Sequence, residues 1–492
     1  MDSELIKARD MEAYGQKYEL HDLKHEVDAS TTGHSSPTNG SHAQLQVLEH
    51  SEPQEGTTFQ QLAPIDRGFG AWTFCASAFV AEMFIWGFLF RMLKNWSVIV
   101  MVSSKVRLRV YATASSDGPS DYYTTHSPFN SSSQVAVAAV GTVGLGIQYG
   151  EVLFLSIMFR RYPEYMKAAM WCALALYFTC LFCSSFATKV WQLILLQGVG
   201  LGFSGGIMYL PTMILLPQWF SERRGLAGGI IFAGTGVGEK VGLRWTLRIW
   251  AIMTCATTGI AFLGIRPRIP VVKRRPGQER PRFIVPQMQY FKSPLFLSFS
   301  LTCLVQGLSY FPVSLYIASF TQQLSTPLTA TIVLSLFNSA GVVGQVILGY
   351  LTDRYAYPWV MFFSSLGSAL AAFLLWGFAQ GPALIYPFAI IFGALSGGFS
   401  AVWPNAAVDC AGRKPENADI TYAGTAAFKG VSAVIGPILS GFLLEAGRST
   451  PSLGGYYGRA GYGAVEIFVG SCALATGLGS IVVAAARQRV AS

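Results

Sequence analysis

The sequence contains few charged residues for its length. Charged side chains make up 12% of the 492 residues and apolar ones 52%, whereas about 25% of the residues of a typical soluble domain are charged. Five of the six histidines lie within the first 66 residues, so the apolar part of the chain offers no imidazole as a proton carrier. No phosphate-binding G-x-x-x-x-G-K loop, metal-ligand spacing or nucleophile elbow is present. We therefore exclude a soluble globular domain and expect neither an enzyme nor a bound metal or cofactor.

About a dozen apolar stretches follow one another from Gly68 onward. Each is close to the roughly 20 residues that a helix needs to cross about 30 Å of hydrocarbon. Backbone groups in lipid must be paired within the protein, and barrel strands would be only about 10 residues long. We predict an all-α polytopic membrane protein with six helices on each side of a basic segment. The predicted helices are 68–90, 135–159, 167–187, 190–217, 225–238, 246–264, 294–319, 327–351, 357–378, 382–404, 422–445 and 462–486.

Polar segments divide the chain into five parts. The first 66 residues carry 12 of the 26 acidic residues and a Ser/Thr/Gly/Pro-rich stretch, which is typical of a disordered tail, and we expect no signal peptide. The predicted parts are a disordered cytoplasmic tail (1–66), an N-terminal six-helix bundle (67–264), a basic linker (265–292), a C-terminal six-helix bundle (293–486) and a short tail (487–492).

The distribution of lysine and arginine predicts the orientation. Eight basic residues lie between Arg266 and Lys292, and cytoplasmic loops are the ones enriched in such residues. We therefore expect this linker and both termini in the cytoplasm, where the linker would face an anionic leaflet. The net charge of +9 then needs no nucleic-acid partner. A multi-pass protein of the plasma membrane is expected, with a vacuolar or other organelle membrane as the alternative.

Three motifs lie where predicted loops meet predicted helices. A G-x-x-x-D-R pattern closes the eighth helix, an aromatic-basic-L-A-x-G stretch leads into the fifth, and an acidic, Gly-aromatic-small-Trp stretch leads into the first. Their main residues are Asp66, Gly68, Trp72, Arg223, Arg224, Gly228, Asp353 and Arg354. For the two charge pairs, a simple anchor at the inner headgroups remains the alternative.

Together with the six-plus-six arrangement, these motifs resemble the major facilitator superfamily. Within it, the chain is similar to the monocarboxylate porters, particularly their fungal branch, over nearly its whole length from Asp66. The resemblance implies alternating access around a central site, with the charges of the D-R motif latching the inward gate. The N-terminal counterpart of that motif, near Phe159 to Pro163, is degenerate, and Arg67 stands where a glycine is usual.

Ionisable side chains inside a bilayer are costly and therefore functional candidates. Glu82 lies near the middle of helix 1 with Trp86 one turn further on the same face, either as a cavity or proton-linked residue or as a buried partner of another helix. Lys429, early in helix 11, would neutralise a substrate carboxylate or snorkel toward the headgroups. Helix 8 offers only Asn338 and Gln345 as sizeable polar groups.

Two further carboxylates, Glu151 in helix 2 and Glu466 in helix 12, are weaker candidates. A boundary error of one helical turn would place either of them near solvent. The better-known monocarboxylate porters pair an Asp with an Arg inside helix 8, and this chain does not. The sequence therefore favours a larger or less acidic substrate than lactate.

Two segments depart from the family pattern. The stretch 91–120 places five basic residues in a predicted outer loop, against the positive-inside rule. Predicted helix 5, from Gly225 to Gly238, reaches only about 21 Å at 1.5 Å per residue. Our hypothesis is that both reflect misassigned exons, which sequencing the transcript would test.

Two classes of function remain open. The first is a secondary active transporter of small organic acids or related metabolites, with proton coupling as an option and an exporter of a secondary metabolite as the alternative. Ile194 stands where proton-linked drug exporters carry an Arg, which argues against that exporter class. The second is a transport-inactive, transporter-like sensor or a defective gene product. The expected partners are the lipid bilayer, a small-molecule substrate and, with coupling, H+; the oligomeric state is open.

Overall fold

Twelve helical segments follow one another in the part of the chain that the computed structural model describes, which is residues 64–94, 134–233, 243–269, 286–412, 417–449 and 457–491. In chain order they are α1 (Gly68–Lys94), α2 (Gln134–Gly150 and Val152–Arg161), α3 (Met166–Ser184), α4 (Val190–Trp219), α5 (Arg224–Ala233), α6 (Leu243–Gly264), α7 (Pro294–Leu324), α8 (Pro327–Arg354), α9 (Tyr357–Trp376), α10 (Pro382–Cys410), α11 (Ala418–Ser449) and α12 (Gly463–Ala491).

Ten of these segments are long and apolar enough to cross a membrane. Large apolar side chains face outward from them, among them Phe363 at 65% and Phe442 at 66% exposure, as lipid-facing surfaces require. The prediction of an all-α polytopic membrane protein is confirmed. In α6, Ala251–Gly264 forms a shorter apolar stretch, and Arg244 and Arg248 lie in the first two turns of the helix.

The predicted end of helix 1 at residue 90 is wrong. The helix continues to Lys94, so the first four residues of the unusual 91–120 stretch form another helical turn; residues 95–133 lie outside the described residues. Residues 234–242 lie outside them as well, so the shortness of predicted helix 5 stays a prediction. A prediction from hydropathy places the end of a helix at the first charged residue. The helix itself can continue into the headgroup region, where its backbone hydrogen bonds still form and long charged side chains reach water.

Helix starts follow the local sequence. Ser293 caps α7 by accepting a hydrogen bond from the Phe296 N–H at 3.1 Å, and proline occupies the first turn of α7, α8, α9 and α10. Proline fits there because the N–H groups of the first turn have no acceptor within the helix, so the N–H that proline lacks is not missed. At the other end of α10, a 3-10 turn at Phe399–Val402 precedes a final segment, Trp403–Cys410, that has Pro404 in its first turn. The predicted end at residue 404 was therefore six residues short.

The start of α11 was also predicted too late. The helix begins at Ala418 rather than at residue 422, which places Asp419 in its first turn. A carboxylate is favourable there because the N-terminus of a helix carries a partial positive charge. This correction matters for the site, because Asp419 bonds across to α2.

The two sequence halves share one apolar core. Its largest cluster contains Trp86, Tyr149 and Tyr209 from the first half together with Trp403 and Tyr422 from the second. A second cluster, around Trp376, Phe388 and Tyr462, lies wholly within the second half. The largest apolar cluster therefore joins the two halves.

Glycines bring α5 and α8 into direct backbone contact. A Cβ added to Gly349 would lie 3.0 Å from the carbonyl carbon of Gly225 and 3.3 Å from the Cα of Gly229. No larger residue fits at Gly349 without a shift of one helix, which is the close approach that small residues permit in membranes.

Candidate functional site

A buried carboxylate lies at the centre of the first half. Glu82 on α1 is fully buried, and the Thr212 hydroxyl on α4 donates to its Oε1 in a long hydrogen bond of 3.5 Å. Its Oε2 has no hydrogen-bond partner among the described residues. Burying a carboxyl group with so few hydrogen bonds costs free energy, and a proton or a ligand that satisfied the group would reduce that cost.

Aromatic side chains surround Glu82 and extend to the other half. The Trp86 ring lies 4.9 Å from that of Tyr149 on α2 and edge-on at 5.2 Å from that of Tyr209 on α4. The Tyr209 hydroxyl is hydrogen-bonded to that of Tyr422 on α11, whose ring lies 5.6 Å from Trp403 on α10. We call Trp86, Tyr149, Tyr209, Trp403 and Tyr422 the aromatic cluster. It connects helices of both halves.

Lys429 on α11 is the buried cation of the second half. Only 7% of it is exposed; Nζ donates to Gln306 Oε1 on α7 and lies 5.4 Å and 6.0 Å from the ring centres of Phe311 and Tyr310. The Gln306 amide donates in turn to the carbonyl and hydroxyl of Ser396 at 3.0 and 3.1 Å. In the described part of the chain, Lys429 forms no ion pair with a carboxylate. Its ammonium points into the protein rather than to the headgroups.

The two polar residues of α8 lie elsewhere. Gln345 donates from Nε2 to the Gly397 carbonyl and to the Ser400 hydroxyl on α10, both at 3.4 Å. Its backbone also packs against Gly229 of α5. Asn338 is half-buried two turns earlier. The geometry assigns Gln345 to packing between α8, α10 and α5.

The D-R motif joins the two halves through its aspartate. Asp353 accepts hydrogen bonds from the N–H groups of Gly225 and Leu226, both at 2.7 Å, and from the Asn405 amide at 3.2 Å. The carboxylate thereby caps the N-terminus of α5, which is in the other half of the sequence. Arg354 instead lies over the ring of Tyr350 on its own helix, at 4.8 Å. The contact of this motif with the other half is therefore the cap that Asp353 forms on α5, and not an ion pair of Arg354.

The motif that precedes α1 also binds the loop between α4 and α5. Asp66 accepts hydrogen bonds of 2.9–3.1 Å from the N–H groups of Ser221, Glu222 and Arg223, so this last residue of the predicted disordered tail is fixed to the loop before α5. Gly68 has a φ of +87°, a conformation that a side chain would strain.

Other motif residues surround this cap. The Trp72 ring lies 5.6 Å from that of Phe220. Arg224 is 8% exposed and donates from Nε to the Phe220 carbonyl at 3.3 Å. At Gly228, a Cβ would lie 2.7 Å from Pro404 Cγ of α10. The motif residues of the first half thus build the surface on which α8 and α10 rest.

A second contact between the halves was missed by the sequence. Arg160 at the end of α2 forms an ion pair with Asp419 of α11, and its guanidinium donates to Asn417 at 3.0 Å. The Ser156 hydroxyl donates to the same carboxylate at 3.3 Å. In both contacts the second half supplies the carboxylate, Asp353 or Asp419, and the first half supplies the donor, which is the N-terminus of α5 or Arg160. We call the end of the molecule that carries Asp353 and Asp419 the latch end.

Comparisons with known proteins agree with this arrangement. Helices from two halves that meet around a buried polar centre and are capped together at one end define a membrane-transporter fold. A family model described as Major Facilitator Superfamily matches residues 127–437 and 313–477. The chain belongs to this superfamily, as the sequence predicted.

Individual relatives have modest identity. The chain is 27% identical over 341 residues to the aspyridones efflux protein apdF of Emericella nidulans, which is 66% of either chain. It is 23% identical over 443 residues to an MFS-type transporter of Gibberella zeae (86% of this chain, 90% of the relative) and 25% identical over 306 residues to the probable transporter MCH2 of Saccharomyces cerevisiae (58% and 61%). The matched part thus spans about two thirds or less of the first and third relatives.

Proposed function

We propose that this protein is a secondary active transporter that moves small organic acids across the membrane by alternating access. The observation that carries the proposal is that two buried ionisable residues, Glu82 in the first half and Lys429 in the second, occur together with an aromatic cluster between the halves. Neither residue has a partner of opposite charge in the described residues. Ionisable groups are retained inside a membrane protein where function requires them.

Each part of the site has a separate role in the proposal. The acid group of the substrate would take the place of the Gln306 oxygen at Lys429, since a carboxylate is the stronger acceptor. The organic body would stack on the aromatic cluster. Rocking of the halves would then release Asp353 from α5 and Asp419 from Arg160, opening the latch end. In this proposal the latch end faces the cytoplasm, as the basic linker predicts.

The direction of transport follows the gradients, and outward movement has one specific support. The relative from Emericella nidulans is named as an efflux protein for aspyridones. An exporter of an acidic secondary metabolite, driven by protons, is therefore the form of the proposal that we favour.

Counterflow in proteoliposomes tests this function. Vesicles loaded with an unlabelled organic acid should take up the labelled acid only when they contain the protein, and a panel from short monocarboxylates to planar aromatic acids would define the substrate class. The Lys429→Met variant should lose most of this uptake, while Lys167→Met, at the start of α3, should not. Binding of the acids without flux would support the sensor and reject the transporter.

A further inference from the structure

Gln306 on α7 is held in one orientation beside the buried Lys429. Its Nε2 donates to the backbone carbonyl of Ser396 at 3.0 Å and to the Ser396 hydroxyl at 3.1 Å. Because a backbone carbonyl only accepts hydrogen bonds, the amide nitrogen is the atom that faces α10, and the amide oxygen is the atom that faces Lys429. The ammonium of Lys429 therefore meets an acceptor that is neutral and fixed in place.

Close packing of α7 against α11 shields this contact. A Cβ added to Gly307 would lie 2.8 Å from Ser432 Cβ and 3.3 Å from Lys429 Cδ, both on α11. A Cβ added to Gly430, the residue after Lys429, would lie 2.6 Å from Tyr149 Cβ on α2. Small residues thus let three helices enclose the ammonium. A carboxylate would be a stronger acceptor for it than the amide that it now meets.

Gln306 also borders a narrow gap that is lined by hydroxyl groups. The lining includes Ser309 on α7 together with Ser365 and Ser368 on α9, and the gap is too narrow for a water molecule. Ser309 and Ser365 are 1% and 3% exposed, and their hydroxyls have no hydrogen-bond partner among the residues that the structure describes. Buried hydroxyls without partners are costly. Two donors without an acceptor therefore lie in the gap that Gln306 borders.

Ser309 is the donor best placed for Gln306. The two residues are three positions apart on α7, so they lie on the same face of the helix, one turn apart. A hydroxyl also turns about its C–O bond to suit an acceptor. The Ser368 hydroxyl, by contrast, already donates to the Ser364 carbonyl of its own helix at 2.8 Å. An amide oxygen that leaves Lys429 can therefore accept a hydrogen bond from Ser309.

We propose that Gln306 determines the specificity of this site: its amide oxygen occupies the place of a substrate carboxylate at Lys429 and moves to the Ser309 hydroxyl when an acid binds. The inference rests on the proposed function and concerns the same site. A carboxylate displaces the amide because its hydrogen bond to an ammonium has a charge on both sides. A primary amide or an alcohol has no such advantage over Gln306. Neutral analogues of an acid are thereby rejected about 10- to 100-fold.

Gln306→Glu tests the exchange at Lys429. The variant keeps the shape of the side chain, and the Ser396 hydroxyl can donate to it, but its carboxylate pairs permanently with the ammonium. Calorimetric titration of the purified proteins compares each acid of a panel from acetate to 2-naphthoate with its primary amide. The wild type should prefer the acid about 10- to 100-fold, and the variant should show no preference. No preference in the wild type, or the same preference in both proteins, would overturn the proposal.

Ser309→Ala tests the second position of the amide oxygen without touching the substrate. The variant removes a hydroxyl that has no partner, so the thermal midpoint of the unliganded protein should not fall. The KM for an acid should nevertheless rise at least about fivefold, because the displaced oxygen is left without a donor. Ser368→Ala is the matched control, since its hydroxyl borders the same gap but is already bonded, and it should keep the wild-type KM. Equal KM values in the two variants would refute the role of Ser309.

The outcomes separate this inference from the proposed function. Wild-type vesicles that take up none of the acids would reject the transporter, and binding without flux would leave the calorimetry to decide the role of Gln306. Wild-type vesicles that take up acids no better than those with Gln306→Glu would leave transport standing and reject that role. If Gln306→Glu lost its thermal transition, Ser309→Ala against its control would decide.

Discussion

The cap that Asp353 forms on α5 yields the sharpest prediction for the latch end. Replacing Asp353 by Asn keeps the shape of the side chain but leaves one carbonyl oxygen for the two N–H groups that now donate at 2.7 Å. The other atom becomes an NH2 group that faces those donors. One charge-assisted hydrogen bond is therefore lost and the other is weakened.

The magnitude follows from these two bonds. A hydrogen bond to a charged group stabilises by about 1.5–3 kcal/mol, and a neutral one by about half of that. Interaction of the carboxylate with the helix N-terminus adds up to about 1 kcal/mol. The variant should thus disfavour the latch-closed conformation by about 2–5 kcal/mol, which shifts the equilibrium toward the latch-open state roughly 30- to 4,000-fold.

Spin labels at two exposed positions of the latch end measure that shift. Glu222, before α5, and Tyr355, after α8, belong to different halves and are exposed. In a background without native cysteines, pulsed electron resonance should show a short distance in the parent protein. In Asp353→Asn, a longer distance should dominate. The longer distance reports separation of the halves at this end.

A carboxylate at the same end provides the control. Asp409 pairs with Arg487 at 2.6 Å, and both residues belong to the second half, so Asp409→Asn breaks an ion pair and leaves the hydrogen bonds that cap α5 in place; across the halves it removes a Coulombic attraction to Arg224. Its distance distribution should match that of the parent. If Asp353→Asn also matched the parent, or if both variants opened equally, the capping argument would be wrong.

Three other substitutions address the site and the packing. Lys429→Met should raise the KM for an acidic substrate about 10- to 100-fold, because about 1.5–3 kcal/mol of charged hydrogen bonding is lost; uptake kinetics in proteoliposomes measure it, and an unchanged KM refutes the role. Gly206→Ala would bring a methyl group to 2.8 Å from Cδ of Glu151 on α2 and should lower the thermal midpoint, whereas Gly150→Ala, whose new methyl group would meet no atom within 4 Å, should not. Gly229→Ala would bring a methyl group to 3.0 Å from the carbonyl carbon of Gln345 on α8 and closer still to its oxygen, and should lower stability by about 1–3 kcal/mol; an unshifted thermal midpoint would contradict this.

Sequence reasoning located the helices better than their ends. The starts of α7, α8, α9 and α10 were predicted correctly, because proline marks the first turn of each. The prediction misplaced the ends of α1 and α10 and the start of α11. Charged and interfacial residues lower the hydropathy of a segment, but they do not end the helix. The last error concealed Asp419, which is separated from Arg160 by 259 positions.

The sequence alone determined that this is a polytopic helical membrane protein of the Major Facilitator Superfamily, because crossing a bilayer is a local demand that each segment meets with its own length and hydropathy. It also pointed to Glu82, Lys429 and Asp353, since charges are conspicuous in an apolar chain. Only the tertiary structure decided their partners. Gln306 beside Lys429, the α5 amides beside Asp353 and Arg160 beside Asp419 depend on which faces of distant helices meet, and no local property of the chain encodes that.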